Sequence, residues 1–502
     1  MSPQSIMIQG TSSHVGKSLV VTGLCRIFKQ DGLKVAPFKS QNMSNNSFVT
    51  EKGEEISRAQ VAQAEAAKIK PLIEINPILL KPTSDQRVQV VVKGKVISNM
   101  DALTYDKHKR KLFKVVEECY QTLGGLFEVI VIEGAGSPAE INLKNKDIAN
   151  MKIAHMANSP VILVADIDKG GVFASLVGTL SLLLPKERRR VAGIIINKFR
   201  GNLEILRPGL DFIEKKTKIP VLGVIPYLED IYVSKEDSVD LEQKKGLNKK
   251  GQIEIKVIKL PRISNFTDFE PLEKEEVSLQ YVSKVNEVGK PDLLIIPGSK
   301  NTINDLTYLY NSKLAEKIKE VVKSQGIILG ICGGYQMLGR KIVDKYGVES
   351  DSKEIDGLNL LNIHTSLNKE KRTSRVKARL AGLKEFIDFD EVIDGYEIHC
   401  GETKVIKENF AFEVISQAGK RKPFYKEGSV SKEGRVIGTH LHGIFEDNEF
   451  RNKFINYLER KKGIKKGEIL YLNRDAEYDK LAEILRKNLN LPKIYEILRS
   501  GV

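Results

Sequence analysis

Seven short apolar runs interrupt the first half of the chain: SIMIQ, KVAPF, VQVVV, FEVIVIE, PVILVAD, VAGIIIN and PVLGVIP. Runs without polar alternation are buried on both faces, as in a parallel sheet covered by helices. Helix-patterned segments lie between them, so the expected class is α/β with a doubly wound parallel sheet. From Lys235 to Gly251 the sequence turns polar and Lys/Gly-rich, as KEDSVDLEQKKGLNKKG. That composition suits a linker. The rhythm resumes with IEIKVIKLP, DLLIIPG and GIILGIC, becomes irregular, and ends in GRVIGTHLHG and a helical, Lys-rich tail. A chain of 502 residues exceeds what one core organises. The expected division is a domain at 1–234, a linker at 235–251, a second α/β domain at 252–460 and a tail at 461–502.

No apolar run approaches the roughly 18 residues of a membrane span, and MSPQSIMIQG lacks the pattern of a signal peptide. A cytoplasmic location is expected, with no membrane partner. The four cysteines, Cys25, Cys119, Cys332 and Cys400, form no C-x-x-C pair, which disfavours a zinc site or a disulfide framework. A net charge of +15 would attract polyanions. Its lysines and arginines are interleaved with acids and carry no nucleic-acid motif, so small polyanions are the expected partners and nucleic acid is not.

The run ending at Gln9 continues into Gly10-Thr11-Ser12-Ser13-His14-Val15-Gly16-Lys17-Ser18 and then the helix-like LVVTGLCRIF. Strand, glycine loop and helix make a phosphate cradle from loop amides and a helix N-terminus. Gly10, Thr11 and Gly16 shape it, Lys17 reaches terminal phosphates and Ser18 holds magnesium. Five residues separate the glycines, one more than in the usual P-loop. Glu133, ending FEVIVIE, is placed as a second magnesium ligand at a strand's carboxyl edge. Asn197 stands where an amide would read a base, and Lys39 offers a charge for a phosphate or carboxylate. The five-residue spacing, the EGAG that begins at Glu133 and the NK pair that begins at Asn197 together resemble the dethiobiotin synthetase family, which implies activation of a carboxylate by ATP.

In the second half, GIILGICGGYQMLG puts Cys332 at a strand end between glycines, the pattern of a nucleophile elbow. GTHLHGIFE supplies His440 and His442, two apart in one strand and therefore expected on one face. His442 is preferred as the base, because Gly443 lets the chain turn after it. Gly298 and Gly333 mark the oxyanion region. This half resembles the class I glutamine amidotransferases, which release ammonia from glutamine. Where that class carries Glu two positions after the histidine, this chain has Ile444, so the group that orients His442 must come from elsewhere or be lacking.

The same order of halves occurs in CTP synthase. PFKSQNMSNNS, RAQVAQAEA, NPILLKPTSD, LPRISNFTDFEPL and GYEIHCGET, read with the Cys and His segments, resemble the cobyric acid synthase family over nearly the whole chain. The resemblance implies amidation of the b, d, e and g carboxylates of adenosylcobyrinic acid a,c-diamide, with ATP, magnesium and L-glutamine. It also implies Glu55 as a third magnesium ligand. Gln41, Asn42 and Asn45 offer neutral donors and acceptors to the corrinoid polycarboxylate. Tyr396, Glu397 and His399 in GYEIH are either site residues or ordinary strand residues. Glu54 and Lys169 depart from the family's usual Gly and Arg.

Overall fold

The computed structural model describes residues 3–228, 231–232, 251–350, 352–417, 425–464 and 471–501. Except for Gly251, the expected linker at 235–251 lies outside the described residues. Among those described, no helix is long and apolar enough to cross a membrane.

The first sheet has six parallel strands in the order Val221–Pro226, Val191–Phe199, Val161–Asp166, Gln4–Gly10, Val129–Glu133, Val35–Phe38. Its apolar runs serve two cores at once, because successive side chains point to opposite faces. Ile6, Ile8, Val131 and Val164 pack on one face, and Met7, Ile130, Ile132 and Leu163 on the other. Gly10 and Glu133 end adjacent central strands, so the phosphate loop and the acid emerge side by side at the carboxyl edge.

VQVVV departs from expectation. Arg87–Val92 belongs to a separate four-stranded sheet and pairs antiparallel with Lys95–Asp101 and Ile78–Pro82. The cause is the Lys93-Gly94 turn, with φ of 46° and 73°. Two consecutive left-handed residues match the twist of a tight hairpin and close the run onto its neighbour.

The second domain repeats the plan. Val277–Val282, Ile253–Ile258, Leu293–Ile296, Ile327–Ile331 and Val436–Thr439 run parallel in that order, and Ser429–Val430 adds an antiparallel edge. The irregular stretch after the cysteine is a long antiparallel pair, Ile363–Leu380 with Ile393–Val405. This pair reaches the first domain. Tyr396 packs its ring 4.9 Å from that of Phe48, and Thr373 Oγ1 donates to Gly53 O at 2.8 Å.

The tail returns to the first domain. Helices Arg474–Asn488 and Leu491–Ser500 bury Leu481, Leu485, Ile494 and Leu498 in the core beside helix Lys17–Gln30. Burying each such side chain contributes about 1.5–3 kcal/mol. Gly23 permits this approach, because a Cβ there would lie 2.2 Å from Leu485. The buried Arg26 guanidinium meets Asp479 at 2.7 Å and Asp475 at 3.1 Å.

Candidate active sites

Strand Gln4–Gly10, the loop and helix Lys17–Gln30 follow without interruption. Gly16 has φ 98° and touches Asn197 so closely that a Cβ would lie 2.0 Å from Nδ2. Asn197 Nδ2 donates to Val15 O at 2.8 Å, so this amide braces the loop, and that proton is not offered to a base. Thr11 likewise gives its N–H to Val164 O in the sheet, at 3.0 Å. Lys17 Nζ donates to Ser12 O at 3.0 Å and to Gly136 O at 3.1 Å, joining the loop to the glycines beyond Glu133.

Glu133 is the hub. Its Oε1 accepts from Ser18 Oγ and Lys39 Nζ, both at 2.8 Å, and its Oε2 accepts from Gln63 Nε2 at 2.5 Å. Ser18 and Glu133 thus present two hard oxygens side by side, the donor chemistry that suits magnesium.

Glu55 stands apart from this pair. Its oxygens meet Lys81 at 2.6 Å and Lys371 at 2.5 Å. Burial raises its pKa, but the two lysines outweigh that and hold the carboxyl well below its usual range. Both oxygens meet lysines, Lys371 coming from the second domain, so Glu55 is an ion-pair centre between the domains. Gln41 accepts from Tyr105 OH at 2.5 Å. Both amide protons of the buried Asn42 go to Ser57 and Gln60, each at 2.8 Å, so they are spent within the protein. Asn45 keeps a buried Oδ1 without a partner.

Cys332 lies between strand Ile327–Ile331 and helix Gly333–Leu338 with φ 53° and ψ −110°. A non-glycine residue there costs about 1–3 kcal/mol, a strain held by the surrounding structure. Gly334 permits the sharp turn, since a Cβ on it would lie 1.9 Å from Ile296 O. Cys332 N donates to Thr439 O at 2.7 Å. Gly333 lies against Ser299, next to Gly298, and a Cβ on Gly333 would sit 2.9 Å from Ser299 N.

His442 and Cys332 line the same small cavity; the Cys332 Sγ donates to Ile398 O at 3.4 Å, and His442 Nδ1 meets Asp268 Oδ2 at 2.6 Å. Asp268 Oδ1 accepts from Gly443 N at 3.0 Å, fixing both sides of the carboxylate. Burial lowers the His442 pKa, but the charge and hydrogen bond of Asp268, with Cys332, outweigh it and carry it up to about 10. Asp268 is thus the orienting acid missing after the histidine. It sits in LPRISNFTDFEPL, 174 residues before His442, so nothing local marks it. Glu446 turns instead to Arg474 at 2.9 Å and Arg58 at 3.7 Å.

The two histidines do not share a face, contrary to expectation. Strand Val436–Thr439 ends before His440, and Leu441–His442 joins a different sheet beside Tyr396 and Glu397. His440 is engaged at both ring nitrogens, by Glu427 at 3.2 Å and Thr403 at 3.3 Å. Burial, with the charges of His442 and Arg372, pushes its pKa down to about 3. Tyr396 stacks on His442, with ring centres 5.3 Å apart. His399 stacks on His440 at 4.1 Å, and Glu397 accepts from Tyr425 OH at 2.6 Å.

A cavity of about 1220 Å³ includes Lys17, Ser18, Lys39, Asn45, Pro82 and Ile263 in its walls. A second, of about 30 Å³, includes Lys81, Ser264, Asn265, Cys332 and His442. Lys81 and Pro82 are consecutive, as are Ile263 and Ser264. The partition between the cavities is therefore a single thickness of chain at two places. Asn45 Nδ2 to Pro82 O at 3.4 Å and Lys81 Nζ to Ser47 Oγ at 2.7 Å tie it together.

A nucleotide-binding α/β domain joined to a glutaminase-type domain defines a glutamine-dependent amidotransferase, a carbon–nitrogen ligase. Residues 6–239 match the family described as the CobQ/CobB/MinD/ParA nucleotide binding domain, and residues 254–450 the CobB/CobQ-like glutamine amidotransferase domain. The chain is 48% identical over 504 residues to the cobyric acid synthase of Dehalococcoides mccartyi (strain CBDB1), covering 99% of both chains. It is 50% identical over 506 residues to that of Caldanaerobacter subterraneus subsp. tengcongensis, covering 98% of both. The chain belongs to the cobyric acid synthase family.

Proposed function

We propose that the protein amidates the b, d, e and g carboxylates of adenosylcobyrinic acid a,c-diamide, in the cytoplasm, as a step of cobalamin synthesis. The observation that carries this reading is the pairing, in a chain of this family, of a phosphate loop and a Cys–His–Asp site across one thin partition. Incubation with the a,c-diamide, ATP, magnesium and glutamine should give four stepwise mass losses as each OH is replaced by NH2. A product amidated at other positions, or no corrinoid product, would sink it.

In the first cavity the loop amides and Lys17 hold the phosphates, while Ser18 and Glu133 are the residues to hold magnesium. The metal supplies neutralisation of the phosphate charge. A corrinoid carboxylate oxygen attacks the terminal phosphorus and ADP leaves. Ammonia then attacks the acyl carbon of the resulting mixed anhydride and phosphate leaves. In the second site the Cys332 sulfur attacks the glutamine carboxamide, with backbone amides near Gly298 and Gly333 facing the oxyanion. His442, holding as imidazolium the proton that the Cys332 thiol gives up, passes it to the departing ammonia. Water then attacks the thioester, His442 takes a proton from that water, and glutamate and the thiol are released. Asp268 fixes the His442 ring and its tautomer throughout.

This assignment ranks three variants. His442→Asn and Asp268→Asn should each lower the glutaminase rate by about two to four orders of magnitude, as lost bases and their orienting acids do. His440→Tyr should stay within about tenfold of wild type. Measured glutaminase rates in the opposite order would overturn the assignment.

The shortest passage for ammonia is through the partition. Ile263→Phe adds bulk there without touching Cys332. It should leave ammonium-supported synthesis within about threefold while ammonia released per amide formed rises severalfold. Unchanged coupling would place the passage elsewhere.

A further inference from the structure

The large cavity holds more than a nucleotide needs. Ligand sites commonly measure about 300–1,000 Å³, and this one is about 1220 Å³. Nine Lys or Arg side chains line it, against three Asp or Glu. Lys17, Lys39 and Lys198 cluster at the phosphate loop, where Lys198 Nζ donates to His14 O at 2.7 Å. Lys109, Lys144, Lys146, Lys152 and Lys186 lie elsewhere on the wall, on four different elements: helices Ala102–Gly124, Met151–Met156 and Pro185–Arg188 and the 3-10 turn Ile141–Lys146. Lys109, Lys144 and Lys146 share two acids, Asp106 and Glu187, at 2.8–2.9 Å. Positive charge therefore remains in excess.

Among these lysines the wall is apolar. Met43, Leu143 and Leu184 line the same cavity and are 51%, 49% and 47% exposed. Ile141 and Leu182, two residues from two of them, are 63% and 46% exposed. Large apolar side chains left open and rimmed by charge mark a surface that a ligand covers. Met43 ends the strand Gln41–Met43, which follows Lys39, so this surface is continuous with the phosphate site.

We propose that this wall seats the flat corrin of the acceptor: Met43, Leu143 and Leu184 contact the macrocycle, and Lys109, Lys144, Lys146, Lys152 and Lys186 receive its peripheral carboxylates. The proposal rests on the amidation reading above and assigns its substrate site. The match is one of charge and shape class, since an apolar disc ringed by carboxylates needs an apolar floor with a cationic rim. A rim of several lysines also lets different edges of the disc be held in turn while one carboxylate faces the phosphate loop. As amides replace carboxylates the rim loses its partners, so the finished product leaves more readily than the substrate.

The test uses the full-length protein and two variants, Leu143→Asp/Leu184→Asp at exposed positions and Lys109→Gln/Lys186→Gln at a half-buried and an exposed one. The first should raise KM for the a,c-diamide about tenfold or more, from lost apolar contact and added repulsion. The second should raise it severalfold and flatten its dependence on salt. KM for ATP and the glutaminase rate should stay within about twofold in both. Equilibrium dialysis read by corrin absorbance should show wild type holding the a,c-diamide more tightly than its tetra-amidated product, and the lysine variant should narrow that gap. Unchanged corrinoid KM in both variants of an amidating enzyme would place the corrin elsewhere and leave the amidation reading standing. Wild type that neither binds nor amidates the a,c-diamide would instead remove that reading itself.

Discussion

Cys332→Ala is expected to abolish glutamine-supported amidation, by about three orders of magnitude or more, while synthesis supported by a high ammonium concentration continues. Removing the sulfur removes the nucleophile at the elbow that would form the thioester. The sheet beneath it is untouched, and alanine keeps the Cβ that this backbone already accommodates at φ 53°. The synthetase half needs only ammonia that reaches its own cavity, and that cavity lies beyond the partition formed by Lys81–Pro82 and Ile263–Ser264. Product mass with each nitrogen source gives the readout. Loss of both activities in a variant that melts like wild type would show that the two halves do not divide the labour in this way.

The state of His442 sets a limit on pH. Its pKa is raised to about 10, so the stability its pairing with Asp268 contributes is fully present below the ordinary histidine value near 6.5. That contribution fades as pH rises through about 10. His440 runs the other way. Held neutral with a pKa near 3, it contributes above about 6.5 and loses that contribution as pH falls.

What the sequence made legible was local. The strand, loop and helix around Gly16 and Lys17 form from contiguous residues, and so does the elbow at Cys332, where glycines on both sides announce the turn. What escaped was long-range. Asp268 reaches His442 only because two separate segments meet, and no spacing rule connects positions 174 apart. Glu55 was placed by resemblance alone, and its pairing with Lys81 and with Lys371, 316 residues later, has no local signal in the sequence. VQVVV has the composition of a buried parallel strand, and the two-residue turn after it overrides that composition. The tail's helices were visible, but their docking on helix Lys17–Gln30 depends on Gly23, a residue unremarkable in sequence.

Lys17→Ala is expected to remove amidation with either nitrogen source, by about three orders of magnitude, and to spare basal glutamine hydrolysis. Both nitrogen sources need the carboxylate activated first, and Lys17 is the cation that joins the phosphate loop to the segment beyond Glu133, through Ser12 O and Gly136 O. Its loss withdraws a charge from the place where the transferred phosphoryl group gains negative charge. It also frees two carbonyls that the ammonium had held together, so the loop would be both less positive and less ordered. Lys17→Arg separates these effects. Arginine keeps the charge and donors for the carbonyls but presents a longer planar group, so it should preserve thermal stability better than alanine while recovering little synthesis. Cys332 and His442 line the other cavity, across the partition from Lys17, so glutaminase activity measured without ATP should remain within about twofold of wild type. Synthesis with ammonium at near wild-type rate in Lys17→Ala would remove the phosphate loop from the chemistry, whatever the glutaminase site does.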